Sequence, residues 1–153
     1  MIWIEMLFVV LMNYEVNEYE YFGKVEGTMY NAVIEQCEGN PLQTASGDWI
    51  CLDSLKSADK RWIAISRDMH KRYGGEFEFG QVVTIESKYE YLNGEWIIKD
   101  LMNERFTKRI DFLQCKETGF YGKWDNLKLY KAWKTTIAKK ISKILCLHSM
   151  QQD

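Results

Sequence analysis

The chain has 153 residues, 46% hydrophobic and 27% charged, with a formal net charge of −2. That is the length of one domain with an ordinary globular composition, which excludes wholesale disorder and gives no general attraction to nucleic acid. A single Pro among ten Gly excludes collagen-like and proline-rich classes, while six Trp, nine Tyr and seven Phe point to a dense β core or a platform for flat ligands.

The first twelve residues are apolar except for Glu5. They fall short of the roughly 20 that a spanning helix needs. They lack the basic start and small-residue cleavage site of an export signal, so a buried strand or helix is the plainer expectation and a degenerate signal the alternative. Residues 1–40 carry seven Glu against one Lys, a balance of −6, and residues 131–153 carry five Lys against one Asp, a balance of +4. The two chain ends therefore present different surfaces around a mixed middle.

From residue 23 to 130 the chain reads as short β segments with polar punctuation. Lys24–Ile34 mixes apolar residues with Thr and Tyr and runs into the turn-rich stretch 37–41. Arg61–Ser66 is a compact strand, and Gln81–Glu86 alternates well enough for another. Asn93-Gly94, inside Tyr89–Lys99, is the strongest short hairpin signal in the chain. Arg109–Leu113 and Asn126–Tyr130 complete a set that fits a sandwich or, more economically, a small barrel. After that the period changes. Trp133, Ile137, Ile141 and Ile144 recur at helical spacing with Lys134, Lys139, Lys140 and Lys143 largely elsewhere, which predicts an amphipathic helix over 131–147. Such a helix either caps the barrel or meets a membrane or wall surface.

The four cysteines show no CxxC spacing, and two isolated histidines supply no further ligand set, so free thiols are expected, with one or two disulfides as the alternative, and no metal site. No GxSxG, P-loop, HExxH or GxGxxG pattern occurs. Carboxylates remain. Asp100 ends the apolar run that begins at Glu95, and Asp111 interrupts Arg109–Leu113. A charge inside such a run is unusual, because burying a carboxylate is costly unless it is paired, hydrogen-bonded or protonated. The plain alternative is two strand-end acids bonded to backbone donors or to Arg105, Lys108 or Arg109.

The stretch Lys99–Leu113, with its eleven-residue step from Asp100 to Asp111, resembles the closing motif of the three-aspartate (3D) domain, lytic transglycosylase A and rare lipoprotein A-like barrels. Thr28-Met-Tyr30, Thr44-Ala-Ser-Gly47, Trp62–Ser66, Phe79–Ile85 and Gly122 with Trp124 fall in the same order, so the resemblance covers about residues 25–130. It implies a mainly β fold: a six-stranded double-psi β-barrel over 25–130, after an N-terminal extension over 1–24 and before the basic helix of 131–153. It also implies cleavage of peptidoglycan glycan strands without water, leaving a 1,6-anhydro-muramic end. Asp111 matches the family's acid/base and Asp100 its supporting carboxylate, and Asp68 is the nearest candidate for the first aspartate.

Trp62, Trp96 and Tyr30 can offer sugar-stacking faces, although strand aromatics more often pack in the core, and Thr44 and Arg105 join them as expected substrate contacts. No cofactor, no nucleic acid and a monomer complete the expectation, and the resemblance implies a place in the cell envelope or a phage-encoded protein. The glycine-rich loop of the active lytic enzymes is replaced by Leu101–Lys108, which keeps a second reading open: a non-catalytic, expansin-like wall-binding barrel. An open groove with Asp100 beside Asp111 favours the enzyme, and a site plugged by Arg105 favours the binder.

Overall fold

The computed structural model of the chain describes residues 2–37, 39–57, 60–118 and 121–142. It divides into two compact units, Tyr21–Lys131 and the two chain ends, Met1–Glu20 with Ala132–Asp153. The larger unit is a closed six-stranded β-barrel. Its strands are β1 (Glu15–Asn31), β2 (Trp62–Ile65), β3 (Val82–Glu86), β4 (Gly94–Leu101), β5 (Arg109–Gln114) and β6 (Lys123–Thr136), in the spatial order β1-β5-β2-β4-β3-β6. The pairs β1·β5 and β2·β4 are parallel, whereas β2·β5, β3·β4 and β3·β6 are antiparallel. Closure leaves no open sheet edge.

Strand β2, Trp62-Ile-Ala-Ile65, is buried at all four positions. The reason is that both of its faces meet apolar material. Ile63 and Ile65 point into the barrel interior with Val83, Ile85, Ile98, Ile110, Phe112, Leu127 and Leu129. Trp62 and Ala64 point the other way, into a second cluster with Tyr30, Ile50, Leu55, Met102 and Leu113 that lies beneath the long β1–β2 connection. A short helix, α1 (Leu52–Lys56), anchors that connection through buried Leu55.

Three sequence expectations need correction. The Asn93-Gly94 pair does not form a two-residue hairpin: β3 and β4 pair as far as Ile85 and Gly94, and the connection spans 87–93. The Asn93 side chain clasps it, accepting from the Ser87 backbone N–H at 2.7 Å and donating to the Ser87 carbonyl at 3.0 Å, while Gly94 takes a φ of 102°. Residues 131–136 continue β6 and helix begins only at 137, running to 142; the rest of the expected helix, 143–147, lies outside the described residues. Trp133, Thr135 and Thr136 suit extended backbone better than helix, so the apolar stripe does not sit on one helix face. The apolar N-terminus is an exposed helix, Ile2–Met12, rather than a buried one, with Met6, Leu7, Val9, Val10 and Leu11 all at least half open. Among the described residues no helix is long and apolar enough to cross a membrane. Within this smaller unit Lys134 pairs with Glu15 and Lys140 with Glu18.

Candidate active site

The site is written in the alternation of the strands. On β5, Ile110 and Phe112 enter the barrel interior, which turns Asp111 and Leu113 to the opposite face. Asp111 stands opposite Thr28 of β1 on one side and Ala64 of β2 on the other. On β4, Trp96 and Ile98 also face the interior, so unbroken alternation would send Asp100 inward after them. It does not go there. The β2·β4 register slips between Ile63 and Ala64, so that Ile63 pairs with Ile98 but Ala64 pairs with Asp100. The bulge puts Asp100 on the face that carries Ala64 and Asp111. Thr28, Asp111, Ala64 and Asp100 thus form one row across β1, β5, β2 and β4. The two acids are two strands apart, about 10 Å between backbones. Ala64 between them has almost no side chain, which leaves a hollow.

That hollow is the floor of a cavity of about 560 Å³, lined among others by Tyr30, Thr44, Ala64, Asp100, Arg105 and Asp111. Asp111 has its Oδ1 buried without a hydrogen-bond partner. Burial pushes its carboxyl up to about 7; the Thr28 side-chain hydrogen bond and the Arg109 charge oppose the rise, and the Asp100 charge adds to it. Asp100 is held quite differently. Its Oδ1 accepts from the backbone N–H groups of Ala45 and Leu101, each at 2.9 Å, and its Oδ2 accepts from the Tyr30 hydroxyl at 3.0 Å. Burial, with the nearby Asp100 charge, drives the Tyr30 phenol well above its ordinary range, so it remains a donor.

The turn that supplies the Ala45 donor is built by Thr44-Ala-Ser-Gly47. Gly47 takes a φ of 89°, its N–H donates to the Thr44 carbonyl, and the Ser46 N–H donates to the Lys99 carbonyl of β4. The Thr44 hydroxyl is occupied locally by Ser46 and the Asp48 carbonyl. Lys99 in turn bonds Asp48 at 2.8 Å and holds its carboxyl below the usual range.

Of the expected site residues, Asp111, Asp100, Tyr30, Thr44 and Arg105 meet at this cavity. Trp62 and Trp96 do not line it. Trp62 packs in the second core cluster with Lys60 and Lys99 over its ring, and Trp96 belongs to the barrel interior with the Arg61 guanidinium 4.2 Å from its ring centre. Tyr30 lines the cavity through an edge that bonds Asp100, and it is only 7% exposed, too little for a stacking face. Asp68 also stays off the cavity: its carboxylate accepts from the Lys108 backbone N–H and ties down the end of the β4–β5 loop. His70 is buried, and its Nδ1 accepts from the Arg72 N–H, which fixes the 3-10 turn Lys71–Tyr73.

Arg105 does not plug the site. Its guanidinium lies 4.7 Å from the Phe106 ring centre, and among the described residues it forms no ion pair. Phe106 also lines the cavity, beside Arg105 in the loop that replaces the glycine-rich one. Arg67, Arg72 and Tyr73 are among the lining residues that the sequence did not single out, and their signal was the cation-rich run Arg67–Tyr73 directly after an apolar strand.

The fold and site together define a closed β-barrel with an open, two-carboxylate cavity on its outer face. No protein-family model matches the chain, and no curated protein matches it in sequence.

Proposed function

We propose that this chain cleaves peptidoglycan glycan strands by the lytic-transglycosylase route, with Asp111 as the acid/base and Asp100 as its supporting carboxylate. The observation that carries the reading is the state of Asp111. Its carboxyl sits at the floor of an open cavity with one orphan oxygen and a pKa of about 7, so near neutrality it can both give and take a proton. The parallel pairs β1·β5 and β2·β4, beside the antiparallel pairs β2·β5, β3·β4 and β3·β6, are what a double-psi connection requires, and they support the resemblance in the Asp100–Asp111 stretch.

Asp111 begins protonated and donates to the glycosidic oxygen as the bond from that oxygen to the muramic C1 breaks. The muramic 6-hydroxyl then attacks C1, and its proton returns to Asp111. No water is consumed, so the wide carboxylate pairing of an inverting hydrolase is not required. Asp100, fixed by three donors, holds its carboxylate on the same face as Asp111, two strands away. The exposed ring of Tyr73 provides a stacking face, in place of Trp62 and Trp96.

Digestion of purified murein, with mass spectrometry of the soluble products, tests the reading. Anhydro ends are expected. Reducing ends would make the chain a hydrolase, and intact murein that retains the protein would make it a wall-binding barrel.

A further inference from the structure

Three arginines line the cavity, and they arrive from two separate segments. Arg67 and Arg72 come from the turns that follow β2, and Arg105 comes from the β4–β5 loop. Each lies against an aromatic ring: Arg67 at 5.7 Å from the centre of Tyr73, Arg72 at 5.9 Å from Phe79 and Arg105 at 4.7 Å from Phe106. A guanidinium stacked on a ring keeps its in-plane N–H donors free, and the ring limits the rotamers it must give up on binding.

Those donors are poorly used inside the protein. Arg72 and Arg105 form no ion pair among the described residues. Arg67 reaches only Glu104 at 3.5 Å, an acid 81% exposed, and its own Nε is buried without a partner. The acids of the cavity do not answer them. Asp100 is taken by Ala45, Leu101 and Tyr30, and no third acid is among the described lining residues. Three cations facing two occupied or secluded acids form a wall that a neutral sugar chain has no use for.

We infer that the cavity recognises a carboxylate on its ligand, through Arg72 and Arg105 with Arg67 behind them; the inference rests on the peptidoglycan reading. A planar fork of donors matches a carboxylate in bidentate fashion, and it discriminates against the same sugar without the acid. In a glycan strand that acid has two sources. One is the lactyl group of a muramic residue stripped of its peptide; the other is a carboxylate of the attached peptide.

The test is calorimetric binding to the Asp111→Asn protein, which should hold ligand without turning it over. Three ligands are compared: a GlcNAc–MurNAc tetrasaccharide with free lactyl groups, the same tetrasaccharide bearing peptides, and chitotetraose. At least one acidic ligand should bind about tenfold or more tighter than chitotetraose, with a preference that weakens as salt is raised. The stronger of the two acidic ligands identifies the source of the acid. Arg72→Ala with Arg105→Ala should erase the preference, and the corresponding Lys pair should restore only part of it; both positions are exposed, so folding is not at stake.

Chitotetraose binding as tightly as both acidic ligands, no binding by either acidic ligand, or a preference that survives the double Ala variant would overturn the inference. Murein cleavage by the unmodified protein is scored separately. Cleavage without charge preference removes the anion subsite and leaves the transglycosylase reading in place. Charge preference without cleavage does the reverse.

Discussion

The same four strands, β1, β5, β2 and β4, build two faces of opposite character. Inside the barrel, Ile63, Ile65, Ile98, Ile110 and Phe112 are at most 1% exposed and wholly apolar. On the other face Tyr30, Ala64, Asp100 and Asp111 line an open cavity, with Thr28 opposite Asp111. On β2 and β5 one step along the strand separates stability from chemistry; on β4 the bulge makes it two. A polar group enters that interior only with a partner, as the Trp96 indole N–H does with the Leu92 carbonyl at 2.8 Å. The cavity face holds two acids by different means: one satisfied by three donors, the other raised until it can stay protonated.

The comparison is broken most severely from the interior. Phe112→Ala opens the barrel core and should cost about 3–5 kcal/mol, seen as a large drop in melting temperature with loss of everything downstream. Its neighbour Asp111 should behave in the opposite way. Asp111→Asn is expected to abolish murein cleavage, since an amide can neither donate nor take up the proton, while the fold stays intact.

It should also stabilise the protein at alkaline pH. The folded Asp111 value lies above the unfolded one, so the folded chain holds an extra proton between about pH 4 and 7. Stability therefore falls as pH rises through that window, and above it the full penalty, on the order of a few kcal/mol, is present. Melting Asp111→Asn beside the unmodified protein at pH 8 and pH 4 should show a clear gain at pH 8 and almost none at pH 4.

Asp100 permits a finer cut. Asp100→Ala leaves the buried Tyr30 hydroxyl and two backbone N–H groups without their acceptor, and should cost about 1–3 kcal/mol in chemical denaturation. Asp100→Asn keeps one oxygen for the two N–H groups, removes the charge, and sets an amide NH2 against the Tyr30 hydroxyl oxygen where an acceptor stood. That charge is the smallest of the influences on Asp111, so the cleavage-against-pH curve should move slightly to lower pH with a partial loss of rate. An unmoved curve would show that the two carboxyl groups are not coupled.

Much of this was legible in the sequence, and the failures have physical causes. The short apolar runs at Trp62–Ile65, Val82–Glu86 and Arg109–Gln114 declare strands, because β-branched and aromatic residues fill a two-sided sheet. Asp111 is visible as a charge at an alternating position. Asp100 is visible too, but its direction is not, because a bulge that reverses the face of a residue leaves no mark in the local pattern. Trp62 and Trp96 read equally well as sugar platforms or as core, and only packing distinguishes the two. Arg67 and Arg72 were illegible for a further reason: exposed cations look alike until the fold turns some of them toward one cavity.

The most direct measurement is a carboxyl ¹³C NMR titration of the whole chain, with the Asp111 signal assigned by its absence from Asp111→Asn. The midpoint of that signal is expected near 7. A midpoint near 4, the ordinary aspartate value, would mean an Asp111 that is ionised at neutral pH and has no proton to give the glycosidic oxygen.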